Sequence, residues 1–244
     1  MSERPATAGD GTRRQRALAW GVHMFTATGV ALAILAWSAI DRHLWTQAML
    51  WLFIALLVDG VDGTLARAAH VKTRLPRIDG NALDLVIDYL NYVFLPVIFI
   101  LEAGHLPGPW ALPLAAAILM SSLYVFARAD MKTDDGYFRG FPALWNIVAF
   151  YFYVAPPTPF VAVLTIVVLV VMTFAPIHVV HPFRVRDYGL WLPGLATFWA
   201  AVTAALLVPG LGWTAWVVLV GLSLGAAGIL LLLGLARSRR PARA

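Results

Sequence analysis

The sequence predicts an all-α membrane protein, a polytopic bundle of about eight transmembrane helices with both termini in the cytoplasm. Three observations predict it. Hydrophobic residues make up 61% of the 244-residue chain and charged residues only 13%, against about 45–50% and roughly 25% in soluble domains. Apolar runs follow one another with short connections. The basic residues fall almost wholly in alternate connections.

The first run, 17–40, follows a tail that carries Arg4, Arg13, Arg14 and Arg16. A basic stretch before an apolar run imitates a secretion signal. This run is longer than the ~7–15-residue core of such signals, so it is assigned as the first span. Further runs cover 44–69, 80–101, 109–128, 142–156, 160–178, 190–208 and 213–235. The fifth is short and bounded by prolines. At about 20 residues per span the chain length suits seven or eight helices.

Charge placement supports the count. Arg67, Lys72, Arg74 and Arg77 lie around the second connection. Arg128, Lys132 and Arg139 lie in the fourth, and Arg184 and Arg186 in the sixth. Arg237, Arg239, Arg240 and Arg243 close the chain. With the N-terminal arginines, 17 of the 18 Lys/Arg then fall on one side, and only Arg42 on the other. Positive charge accumulates on the cytoplasmic side. The organisation is therefore a cytoplasmic tail, 1–16, one transmembrane domain, 17–235, and a basic cytoplasmic tail, 236–244. There is no cysteine, which excludes disulfides and thiolate metal sites. Nucleic acid is not an expected partner; membrane lipid is.

Five of the 13 acidic residues lie between positions 59 and 88, in or beside two apolar runs: Asp59, Asp62, Asp79, Asp84 and Asp88. A carboxylate near the bilayer centre costs about 2.5–3.5 kcal/mol on insertion scales, so a cluster needs a compensating partner. Asp59 and Asp62 are three apart and share one helix face. Gly80, Asp84 and Asp88 recur every four residues, again on one face. Two antiparallel helices can point four carboxylates at each other. Such a group needs cations or shared protons, and hard divalent ions prefer oxygen ligands. Gly63 and Gly80 would let a bulky ligand approach the helices, and Arg67, one turn past Gly63, could grip a phosphate. Individually, each aspartate could instead cap a helix or pair with Arg67, Arg74 or Arg77. Asp79, just before Gly80, is read as an N-cap.

The pattern Asp59-x2-Asp62-Gly63-x2-Ala66-Arg67, a spacer, and Gly80-x3-Asp84-x3-Asp88 resembles the signature of the CDP-alcohol phosphotransferases. Most members carry a shorter spacer; here it is the twelve residues from Ala68 to Asp79. That spacer resembles the one in the bacterial phosphatidylcholine synthases of the family. So do the segments around His23–Gly29, Leu83–Tyr89, Phe138–Asn146 and His181–Val185.

The resemblance implies transfer of the phosphatidyl group of CDP-diacylglycerol to choline with release of CMP. It implies Mn²⁺ or Mg²⁺, two ions per site, in a homodimer of the bacterial inner membrane with the active site toward the cytoplasm. It implies Asp59, Asp62 and Asp84 as metal ligands, and Asp88 as general base and further ligand. Gly63, Ala66, Arg67 and Gly80 would line the CDP-lipid site beside Asp59, Asp62 and Asp84. Thr26 and Thr28 either line that site, the assignment taken for Thr28, or bond to the preceding backbone turn.

A quaternary ammonium offers no hydrogen-bond donor, and aromatic faces are the usual way to hold one. Tyr89, Trp145, Asn146 and Tyr151 are the choline candidates, with Tyr92 and Tyr153 beside them. Membrane proteins also place Trp and Tyr at interfaces without a ligand. The run Asp130 to Gly136 is read as a solvated loop, and His178, His181, Arg184 and Arg186 as an interfacial cluster. Two rival readings remain: another acceptor, such as serine, inositol or glycerol phosphate, and an ion-coupled transporter using intramembrane carboxylates.

Overall fold

A computed structural model of the chain describes residues 12–239. Arg4, Arg240 and Arg243 lie outside the described residues. The chain is mostly helical: α1 (Arg13–Asp41), α2 (Trp45–Ala68), the single turn α3 (Val71–Arg74), α4 (Gly80–Glu102), α5 (Gly108–Ala127), α6 (Trp145–Val154), α7 (Pro159–Phe174), α8 (Trp191–Ala205) and α9 (Trp213–Ser238). Each predicted apolar run coincides with one helix. Among the described helices only α3, inside the long spacer, has no counterpart in the apolar pattern.

The ends differ from the predicted ones for local reasons. α1 starts at Arg13 and not at 17, because Thr12 and Gln15 form a reciprocal capping box. α7 ends at Phe174, ahead of Pro176, since the residue before a proline disfavours the α conformation. α9 runs on to Ser238, so only its last residues remain for the predicted C-terminal tail.

Among the described residues five helices, α1, α2, α4, α5 and α9, are long and apolar enough to cross a membrane. α6, α7 and α8 are apolar but shorter. At 1.5 Å per residue the ten residues of α6 rise about 15 Å, half of a ~30 Å hydrocarbon core. Large apolar side chains lie outward along these helices, with Leu112 73% and Phe160 75% exposed. Lipid, not water, is the solvent such a surface fits.

The chain divides into two compact units at Leu95/Pro96. In the first, α1 and α2 pack closely along small buried residues, Ala33, Ala36 and Ala39 against the stretch that holds Ala48 and Ala55. Small residues let helices approach where lipid leaves no hydrophobic drive between them. α4 packs on α1 at Gly29, where any added Cβ would collide with the Ile87 side chain. Residues Tyr89–Phe94 of α4 wind as a π-helix. Pro96 follows in the sequence and has no N–H to donate back into that turn. Asp79 caps α4 as predicted, its Oδ1 accepting from the N–H groups of Asn81 and Ala82.

In the second unit α5 packs on α7 and α8 on α9. A two-stranded antiparallel ribbon pairs β1 (Phe138–Arg139) with β2 (His178–Val179). β1 runs directly into Gly140, whose φ of +78° suits glycine and whose missing side chain leaves room for the Thr173 carbonyl. The Asp130–Gly136 run is solvated only in part. Asp130 is exposed and paired to Arg128 at 2.8 Å. Asp135 is bound by Arg237 of α9 at 2.8 Å and by the Thr133 hydroxyl. Burial pushes the Asp135 carboxyl up, but those two bonds outweigh it and hold the group below its ordinary range. His178 donates its backbone N–H to Ser238 at 2.6 Å, so this histidine of the predicted interfacial cluster is tied to α9.

Candidate active site

α2 carries Asp59 and Asp62, and α4 carries Asp84 and Asp88, in the faces their spacing predicts. The two stripes meet. One oxygen each from Asp59, Asp84 and Asp88 lies within 4.8 Å of the others. Asp62 is 5% exposed and lines the same cleft, with the Thr26 hydroxyl of α1 in hydrogen-bond contact. α1 closes one wall through Thr26 and Gly29.

Two residues of the π turn complete the site. The Tyr92 hydroxyl donates to Asp59 Oδ2 at 2.5 Å. Asn91 Nδ2 donates to the carbonyls of Gly29, at 3.1 Å, and Ile87, at 3.0 Å. A π turn inserts one residue and re-aims the side chains that follow, and such turns gather at functional sites. Tyr92, weighed from sequence as an aromatic face for choline, is 6% exposed and turns its hydroxyl to the carboxylate instead.

The donor set fits a hard divalent cation. No Lys or Arg is among the residues lining the cleft. Two of the three arginines considered as alternative partners bond elsewhere, Arg67 to the Thr64 hydroxyl at 2.9 Å and Arg74 to the Ala69 carbonyl at 2.9 Å. Two oxygens across a Mg²⁺ at about 2.1 Å each stand about 4.2 Å apart. Oxygens at right angles on the same ion stand about 3.0 Å apart, so the three carboxylates, within 4.8 Å of one another, need close by no more than about 1.8 Å.

The remaining predicted residues take other places. Gly63 faces the Arg67 guanidinium, which an added Cβ would meet at 3.4 Å, and Arg67 is exposed. Ala66 is half-buried on the same helix. The room left by Gly80 is taken by the buried His23 ring, 3.0 Å from where a Cβ would stand. Thr28 is exposed and donates to the Phe25 carbonyl at 2.6 Å, the backbone alternative, whereas Thr26 lines the cleft. Tyr89 is half-buried next to Asp88. In the second unit, Trp145 is fully buried, with its Nε1 on the Ser122 hydroxyl at 3.0 Å. Asn146 accepts the Ile147 N–H, and Tyr151 shares hydrogen bonds with Ser223 and Trp199.

Gly29 and Asn91 were not singled out as site residues by sequence reasoning. For Asn91 a signal exists. It lies three residues beyond Asp88 and seven beyond Asp84, the next polar position along the same stripe. For Gly29 there is none in the helix pattern, since its role is set by Ile87 on another helix.

The chain is similar to known proteins. The model of the CDP-alcohol phosphatidyltransferase family matches residues 22–178. Phosphatidylcholine synthase of Pseudomonas aeruginosa is 49% identical over 193 residues, 79% of this chain and 81% of that protein. That of Bradyrhizobium diazoefficiens is 43% identical over 188 residues, 77% and 70% of the two chains. That of Borreliella burgdorferi is 36% identical over 170 residues, 70% and 73%. The matched span holds all four carboxylates, the α1 wall and the π turn, and with these relatives it places the chain in the CDP-alcohol phosphatidyltransferase family.

Proposed function

We propose that this chain transfers the phosphatidyl group of CDP-diacylglycerol to choline, yielding phosphatidylcholine and CMP, at the carboxylate cluster of α2 and α4. The observation that carries the reading is the meeting of Asp59, Asp84 and Asp88 within 4.8 Å on two apolar helices, in a chain whose similar relatives are phosphatidylcholine synthases. Its family membership makes it a phosphatidyltransferase enzyme.

Asp59, Asp62, Asp84 and Asp88 would hold Mn²⁺ or Mg²⁺, as two ions. Bound there, such ions would neutralise the diphosphate and the charge that grows on departing CMP. Asp88 acts as general base. It takes the proton of the choline hydroxyl as the choline oxygen bonds to the lipid-side phosphorus and the bond to the CMP oxygen breaks. Tyr92 holds Asp59 in place through its hydroxyl, and Thr26 does the same for Asp62. Arg67, exposed one turn beyond Gly63, receives diphosphate from the aqueous side, and Gly63 and Ala66 flank the CDP moiety. Tyr89, adjoining Asp88 on α4, is the foremost candidate for the trimethylammonium. Trp145, Asn146 and Tyr151 are the other choline candidates.

The finer topology belongs to the same proposal: eight membrane segments, cytoplasmic termini, tails at 1–16 and 236–244 around a domain at 17–235, and a homodimer in the inner membrane. The alternating Lys/Arg pattern supports the orientation in this proposal, with the nucleotide entering from the cytoplasmic side. The test is a labelled-acceptor assay. Membranes containing the protein, CDP-diacylglycerol and Mn²⁺ should convert labelled choline and leave serine, inositol and glycerol phosphate largely unused. Conversion of one of those in preference to choline would overturn the assignment.

A further inference from the structure

We infer that Asn91 supplies an additional, uncharged oxygen to the cation site, its side-chain carbonyl acting as a ligand to a divalent ion held by Asp59, Asp84 and Asp88. This rests on the cation reading proposed above. Asn91 is 1% exposed and lines the cleft with the four aspartates. Its Nδ2 is committed to two acceptors, the carbonyls of Gly29 and Ile87. Carbonyls only accept, so the amide cannot be turned round, and Oδ1 is fixed on the opposite side. That Oδ1 is buried and receives no hydrogen bond from any described residue.

A buried carbonyl oxygen calls for a donor or a cation. The donors that line the cleft are already engaged. The Thr26 hydroxyl is on Asp62 and the Tyr92 hydroxyl on Asp59. The aspartate carboxylates are acceptors like Oδ1 itself. A cation held by those carboxylates satisfies this oxygen and balances their charge together. A hard divalent ion accepts amide carbonyls alongside carboxylates, and a neutral ligand raises the coordination number without adding a fifth negative charge to four. The π turn gives the placement a structural origin, since the ladder is rewound between Asp88 and the residues after it.

The test uses the full chain in lipid nanodiscs with Mn²⁺ and no substrate. The chain holds three asparagines, Asn81, Asn91 and Asn146, so protein carrying ¹³C at the asparagine side-chain carbonyl has few labelled sites. Electron–nuclear double resonance of bound Mn²⁺ should show a ¹³C coupling typical of a coordinated carbonyl. It should vanish in Asn91→Leu, and Mn²⁺ affinity should fall at least about tenfold. Asn91→Asp keeps an oxygen but loses both Nδ2 bonds. It should keep Mn²⁺ affinity near the parent value, whereas a merely structural asparagine would lose as much in Asp as in Leu. Mn²⁺ binding without the ¹³C coupling, a coupling that persists in Asn91→Leu, or equal affinity in that variant would each overturn the inference. An oxygen that served only the choline hydroxyl would also give no coupling in choline-free protein. Failure of the parent chain to bind Mn²⁺ at all would instead remove the cation reading beneath it.

Discussion

Replacing Tyr92 by Phe removes one atom from the site and leaves the rest of the packing in place. The ring is 6% exposed, so Phe fills the same volume and α2 and α4 keep their contact. What is lost is the hydroxyl that donates to Asp59 Oδ2 at 2.5 Å. Hydrogen bonds to charged groups contribute about 1.5–3 kcal/mol. At about 1.4 kcal/mol per factor of ten, the loss corresponds to a fall in turnover of roughly ten- to a hundredfold. Because the bond orients a proposed cation ligand, the Mn²⁺ concentration for half-activation should rise with it. The assay is CMP release from CDP-diacylglycerol and choline across a Mn²⁺ series, with thermal unfolding of the purified variant as the fold control. A Tyr92→Phe protein with turnover and Mn²⁺ requirement within twofold of the parent would refute the reasoning that Tyr92 positions Asp59.

Other perturbations follow from the same geometry. Asp88→Asn keeps the shape of the cleft but removes the proposed base, so turnover should fall at least about a hundredfold while CDP-lipid binding, read by direct titration, largely survives; near-normal turnover would remove Asp88 from that role. Gly29→Ala forces a methyl into the Ile87 side chain and should cost about 1–3 kcal/mol together with activity, whereas Gly21→Ala on the same helix, which meets nothing within 4 Å, should be silent in both. Asp135 is held below its ordinary range in the folded chain, net of burial, by Thr133 and Arg237. Its stabilising contribution is therefore complete above the ordinary Asp value of about 3.9 and is lost as pH falls through the depressed folded value. Asp135→Asn should lower the melting temperature at neutral pH, by the equivalent of about 1.5–3 kcal/mol, and flatten its acid dependence; an unchanged acid limb would show that the clasp contributes nothing.

Most of the fold was legible because lipid imposes a simple code. Apolar runs long enough to be helices are helices, and each predicted run coincides with one. The ends were less legible, since they depend on single contacts such as the Thr12–Gln15 box or the proline after α7. The four aspartates were legible as a site because helix periodicity converts their spacing into two facing stripes. The contribution of the π turn was not. It depends on an i to i+5 hydrogen-bond shift that leaves no periodic trace, so Tyr92 looked like an aromatic face and Asn91 like any polar residue in an apolar run. Gly80 and Thr28 show the opposite case. Their residue types suit a ligand, but in the fold His23 takes the room beside Gly80 and the Thr28 hydroxyl turns to its own backbone. The ribbon between β1 and β2 was hidden as well, because two-residue strands carry no alternation to detect.

The Asp59–Asp88 cluster is proposed to break a CDP-lipid only to serve an alcohol, and that alcohol is choline. CMP release from CDP-diacylglycerol, measured with Mn²⁺ in the presence and absence of choline, tests it most directly. Choline should raise CMP release severalfold or more, with phosphatidylcholine formed in equal amount, and the rise should be absent in Asp88→Asn. CMP release that is the same with and without choline would contradict the account.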